Sequence, residues 1–140
     1  MRVTRRMSRL LIRTLGVCVA STIPITCLLG WLQEGRYKNT HMELNAFASA
    51  LSAFSFDNGR IPAMDLKGCV TAMLRHPQYA AEVRKMCPML IDNKDGWGRP
   101  FVFIVDQKRQ RAVVRSVGLN GRDEKGEGDD MTREVNLKKE

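Results

Sequence analysis

At 140 residues the chain has room for one domain and an appendage. Its net charge is +8, yet five arginines (Arg2, Arg5, Arg6, Arg9, Arg13) fall within the first 13 residues, leaving 18 basic against 15 acidic groups in the rest. A nucleic-acid-binding face needs basic groups spread over a folded surface with aromatics between them; that pattern is missing, so no nucleic-acid partner is expected.

The arginine cluster leads into Thr14 to Leu32, 19 residues without a charge. About 20 apolar residues cross a bilayer as helix, so this stretch reaches. Pro24 is tolerated in lipid when neighbouring groups satisfy the freed carbonyl. Trp31 sits at the far end, where an amphipathic ring suits the headgroup level, and arginines before the span orient the N-terminus toward the cytoplasm. The expected organisation is a cytoplasmic basic leader at 1–13, a transmembrane segment at 14–32, and a domain outside the inner membrane at 33–140. A cleaved secretory signal wants small residues at −3 and −1, and "LLGWLQEG" has no A-x-A pattern, which favours a retained anchor.

Beyond the span, Tyr37, Leu44, Phe47, Leu51 and Phe54 recur at spacings of 7, 3, 4 and 3 and form one stripe of an α-helix. Ala46, Ala48, Ala50 and Ala53 raise its helix propensity. No strong breaker separates this stripe from the span, so one long helix is predicted. "DNG" at 57–59 ends it, with Gly59 suited to a left-handed cap. Residues 63–94 read as a helical connector, with Leu66, Val70 and Leu74 on one face, an interruption at Pro77, a short helix in "QYAAEVRKM", and Pro88 as its close.

"DGWGRPFVFIVD" (95–106) opens a sheet. Trp97 between two glycines suggests a tight turn with the ring inserted beneath it. The uninterrupted apolar run from Phe101 to Val105 predicts a strand covered on both faces. After a polar turn at 107–110, "RAVVRSVG" alternates Val113 and Val117 with charged or small residues, as its antiparallel partner would. The last residues read as a charged tail. Cys18 and Cys27 fall in the span as apolar packing residues. Cys69 and Cys87 lie beyond it, where either a disulfide or two buried thiols fits.

Between strand and tail lies "SVGLNGRDEKGEGDDM" (116–131), with four glycines and five acids. Glycines let the backbone turn tightly and aim carbonyls inward. Calcium takes 6–8 hard oxygens in a flexible cage, and Asn120, Asp123, Asp129 and Asp130 with main-chain carbonyls offer them. The spacing is not that of an EF-hand. Two readings stand: a solvated acidic loop, or a coil wound around a cation. Catalysis is not expected. His41 and His76 are the candidates for proton transfer near neutral pH, and neither sits near a nucleophile motif. No phosphate-binding glycine loop is present.

Three motifs in order, "LNAFASALSAFSFDNGRIPA", "DGWGRPFVFI" and "SVGLNGRDEKGEGDDM", resemble the major pseudopilin of bacterial type II secretion systems over residues 44–131. In that family a helix ends in Y-x-x-D-N-G-x-Y-P, a sheet opens with D-P-W-G-x-P-Y, and a C-terminal loop reads S-x-G-x-D-G with a later D-D-I. The resemblance implies an α+β, pilin-like fold: a long N-terminal helix, its first half in the membrane, packed on a small antiparallel sheet. It implies a structural, non-catalytic subunit of a protein-secretion filament, associating with its own copies or other pseudopilins and with secretion machinery, its domain in the periplasm. It also implies calcium held by Asn120, Asp129, Asp130 and the carbonyl of Val117, with Asp123 compensating for the neutral Asn120 that stands where the family has Asp. Family members are cut within G-F-T-L-x-E. Here "RTLGVCVAS" places the cut after Gly16, with Val17 in place of Phe and Ser21 in place of Glu. The lost Glu removes an intramembrane pairing. The alternative function is therefore a single-pass inner-membrane scaffold or partner-binding protein with a pilin-like domain that does not polymerise.

Overall fold

The computed structural model describes residues 2–136, with side chains described at 25 and 27–136. Its elements are α1 (Arg2–Asn58), α2 (Leu66–Arg75), α3 (Pro77–Met86), α4 (Pro88–Ile91), β1 (Val102–Asp106), β2 (Arg111–Ser116) and β3 (Met131–Asn136). The chain divides into two units, Met1–Gly35 and Arg36–Glu140. Among the described residues no helix is long and apolar enough to cross a membrane. The predicted leader at 1–13, the cut after Gly16 and most of the predicted span at 14–32 lie outside the residues whose side chains are described.

Within the second unit, Leu44, Phe47, Leu51 and Phe54 of α1 are buried together with Thr40, Glu43, Ala50 and Ser55, which completes a stripe at helical spacing. Tyr37 departs from the expected stripe. It is 48% exposed and stacks on His41 at 6.1 Å. The helix stops where predicted: Gly59 takes φ +71°, and the Asn58 amide donates to the Phe54 carbonyl at 2.7 Å.

The connector folds into three helices against that stripe. Asp65 caps α2 by accepting from the Gly68 N–H at 2.6 Å. The buried residues of α2 are Leu66, Cys69, Val70 and Met73, whereas Leu74 is half-buried. Pro77 stands at the start of α3, and Pro88 closes α3 as expected, directly after its C-cap Cys87, while also opening α4. Proline has no N–H to lose at a first helical turn, so it starts a helix as readily as it stops one. Glu43 is buried on α1 and accepts from the Met89 N–H at 2.8 Å at the start of α4. Desolvation pushes its carboxyl above the ordinary value, and the N–H groups of Met89 and Leu90 offset part of that. Cys69 and Cys87 are buried free thiols, not a disulfide. Burial pushes Cys69 up to about 11 and Cys87 up to about 12.

The sheet is antiparallel in the order β1-β2-β3. Phe103 pairs with Val114, and Val105 with Ala112, on the face turned to the helices; Phe47 meets Phe103 edge-on at 6.2 Å. The long helix thus packs on a small antiparallel sheet, an α+β pilin-like fold. Three expectations fail here. β1 is an edge strand with Ile104 52% exposed, so it is not covered on both faces. In β2 the buried pair is Ala112 and Val114, while Val113 is half-buried opposite Ile104 on the other face. The supposed charged tail contains β3, whose Met131 and Val135 are buried.

Candidate metal centre

The 14 residues between β2 and β3 carry the acidic cluster, and the turn before β1 positions them. Asp95 is 4% exposed. Its Oδ1 accepts from the N–H groups of Trp97 and Arg99, each at 2.9 Å, and its Oδ2 accepts from the Ser116 hydroxyl at 2.6 Å. That arrangement closes the D-G-W-G-R turn and fixes the end of β2 to it. Trp97 is half-buried against the core, in keeping with the predicted insertion. The Gly96 N–H donates to the Thr40 hydroxyl of α1 at 2.9 Å. Arg99 then reaches across to donate to the Gly118 carbonyl, the first turn of the acidic loop.

Inside the loop the carboxylates act first as acceptors for main-chain N–H groups. Asp129 Oδ2 takes the Asn120 N–H at 2.8 Å, closing the loop across nine residues. Asp130 Oδ2 takes the N–H groups of Glu124 and Gly126, at 2.9 and 3.0 Å. Asp123 lies apart from these two. Its Oδ1 accepts from the Lys125 N–H at 3.0 Å and from the guanidinium of Arg115. Those two partners, the N–H first, hold its carboxyl below the usual range. Asn120 Oδ1 accepts from the Arg122 N–H at 2.7 Å, and its amide nitrogen donates to Glu124 Oε2 at 3.1 Å. The Val117 carbonyl accepts from the Gly121 N–H at 3.2 Å. Gly118 has φ +60°, and a Cβ there would overlap the Asp129 carbonyl, so the turn and the acid it touches require glycine.

The result is a group of like charges. One carboxylate oxygen from each of Glu124, Asp129 and Asp130 lies within 4.8 Å of the others. Asp129 Oδ1 and Asp130 Oδ1 are fully withdrawn from solvent, with no hydrogen-bond partner among the described residues. An unpaired buried carboxylate oxygen is costly, and hard oxygens gathered in this way are the donor set that Ca²⁺ prefers.

The family model for type II secretion system (T2SS) protein G matches residues 27–136. The chain belongs to the type II secretion system protein G family. No curated protein and no solved structure gives a match. The family match spans α1 from Cys27, the connector helices and all three strands, and it includes the whole acidic loop of this protein G family member.

Of the expected ligand residues, Asp129 and Asp130 stand together, and the backbone of Asn120 is tied to Asp129. Val117 is buried at the root of the loop, and Asp123 faces Arg115. The cluster also contains Glu124, which sequence reasoning passed over. Its signal in the sequence is faint: Gly126 and Gly128, at φ +98° and +60°, fold the chain back so that Glu124 meets Asp129 and Asp130. A Cβ at Gly128 would overlap the Glu124 carboxylate.

Proposed function

We propose that the chain is a structural, non-catalytic pseudopilin subunit of a type II secretion filament. In this reading the N-terminal part of α1 anchors it in the bacterial inner membrane as a single pass, N-terminus in the cytoplasm. The domain from Arg36 onward lies in the periplasm. The observation that carries it is the apolar surface of α1: Ile25, Leu28, Leu29, Trp31 and Leu32 are 43–72% exposed on one helical segment. A contiguous apolar patch of this kind needs lipid or another helix to cover it, and membership of the protein G family supports both. Copies of the same chain or other pseudopilins supply the helices, and secretion machinery supplies the remaining contacts.

The acidic loop is the second part of the proposal. Asn120, Asp129, Asp130 and the Val117 carbonyl would hold a calcium ion, and Asp123 would fasten the same loop to β2 through Arg115. When bound, the ion neutralises the clustered carboxylates and takes up their unpaired oxygens. It does no chemistry. Its contribution is to fix the connection between β2 and β3.

Mass spectrometry of the mature N-terminus tests the filament assignment. A chain that begins at Val17 with a methylated amine fits a processed pseudopilin. An intact leader contradicts it and favours the alternative, a membrane scaffold with a pilin-like domain; Ser21 in place of the family's Glu is the feature pointing that way. Thermal melts test the metal. Chelator should lower the melting temperature of wild type, and an unchanged melt contradicts the calcium assignment.

A further inference from the structure

Asn120 brings no charge to the loop, so a calcium site built on Asn120, Asp129 and Asp130 has two formal negative charges from side chains. Calcium affinity in oxygen cages follows ligand charge count, and a third carboxylate would strengthen it. Asp123 is the nearest acid in sequence, but its Oδ1 is occupied by the Lys125 N–H and Arg115, and its side chain holds the loop to the sheet.

Glu124 is placed differently. An oxygen of its carboxylate lies within 4.8 Å of the oxygens offered by Asp129 and Asp130. Among the described residues no donor reaches Asp129 Oδ1 or Asp130 Oδ1, two atoms withdrawn from solvent, so the group keeps acceptor oxygens that a cation would satisfy. The Asn120 amide nitrogen donates to Glu124 Oε2 at 3.1 Å, which joins the neutral residue to the charged one. Gly128 leaves the space that the Glu124 carboxylate takes: a Cβ at 128 would stand 2.8 Å from Glu124 Cδ.

We infer that Glu124 is a calcium ligand of this chain and that its charge replaces the one absent at Asn120. The inference rests on the calcium reading of the loop and goes beyond it by assigning the third carboxylate. Glu124 is exposed at the rim, and its own N–H bond to Asp130 is a main-chain contact, so Glu124→Gln keeps the loop's framework.

The test is calorimetric titration of Ca²⁺ into the full-length chain in detergent micelles, with melts in chelator as the folding control. Glu124→Gln should weaken Ca²⁺ binding about tenfold while its melt in chelator stays at or above the wild-type value, since one of three clustered like charges is gone. Glu127→Gln removes an equal charge from the same loop outside the cluster, and should change affinity less than about twofold. Asn120→Asp in the Glu124→Gln background should recover most of the loss. If wild type binds Ca²⁺ and Glu124→Gln binds it equally well, or if Glu127→Gln loses as much as Glu124→Gln, the assignment of Glu124 is overturned and the calcium reading stands. If wild type gives no binding heat and ignores chelator, the calcium reading fails and takes the assignment with it.

Discussion

Ser116 Oγ donates to Asp95 Oδ2 at 2.6 Å, with both residues buried. This one hydrogen bond joins the last residue of β2 to the turn that precedes β1. The same turn touches α1 through Gly96 and Thr40, and Arg99 extends it to the acidic loop. Helix, sheet and loop therefore meet at residues 95–99.

Removing the hydroxyl should loosen that junction. Ser116→Ala leaves a buried carboxylate oxygen without its donor and also removes the acceptor of the Gly118 N–H, at 3.2 Å in the wild type. The expected loss is about 1–3 kcal/mol, the cost of stranding a buried polar group. Denaturant unfolding at constant calcium measures it. A loss under about 0.5 kcal/mol, the range of ordinary surface substitutions, would mean that the bond does not hold the two segments together.

Two glycines in the left-handed region separate backbone strain from packing. Gly59 at φ +71° has open space where an alanine methyl group would stand, so Gly59→Ala should cost about 1–2 kcal/mol from conformation alone. Gly118 at φ +60° faces the Asp129 main chain, with Asp129 Oδ2 2.7 Å from where a Cβ would lie. Gly118→Ala should cost more than Gly59→Ala and should also weaken calcium binding, since Asp129 must move. Equal losses in unfolding experiments, with calcium affinity unchanged, would contradict the packing described for the loop.

Glu43 gives a pH dependence with a defined sign. Burial raises its carboxyl above the ordinary value of 4.5, so the folded chain holds the proton more tightly than the unfolded one. Its contribution to stability is then greatest in acid and declines as pH rises from 4.5 through the raised value. Glu43→Gln keeps an oxygen to accept from Met89 and carries no charge, so it should match or exceed wild-type stability at pH 7. That advantage should shrink as pH falls toward 4.5. Asp123 acts oppositely: its carboxyl is held low, so its contribution is present at neutral pH and lost in acid, in wild type and variant alike. The difference between the two stability curves isolates Glu43. A variant markedly less stable than wild type at pH 7 would show that the charge stabilises the start of α4.

The long helix was legible because Leu44, Phe47, Leu51 and Phe54 repeat at 3.6-residue spacing, and its end because Gly59 follows Asn58. Tyr37 matched the spacing, yet it stacks on His41 and leaves burial to Thr40 and Glu43. Ile104 misled in another way: an apolar run signals a strand covered on both faces, but nothing in the run reveals that the face on which Ile104 lies opposite Val113 is turned away from the helices. β3 was hidden by Arg133. It interrupts the apolar alternation between Met131 and Val135, and it reaches α1 to hydrogen-bond Asn45 and His41, a partner that only the fold brings near. At the loop, acid content and glycines flagged the segment. The grouping of Glu124 with Asp129 and Asp130, and the diversion of Asp123 to Arg115, depend on turn geometry and on a strand residue eight positions away, which local sequence does not encode.

Disulfide crosslinking of single-cysteine variants along residues 17–45, in membranes that carry the assembled secretion system, tests the filament account most directly. Helices packed side by side in a polymer should give regular ladders of crosslinked species from positions on one face of α1. Monomers and dimers alone, at every position, would contradict a filament subunit.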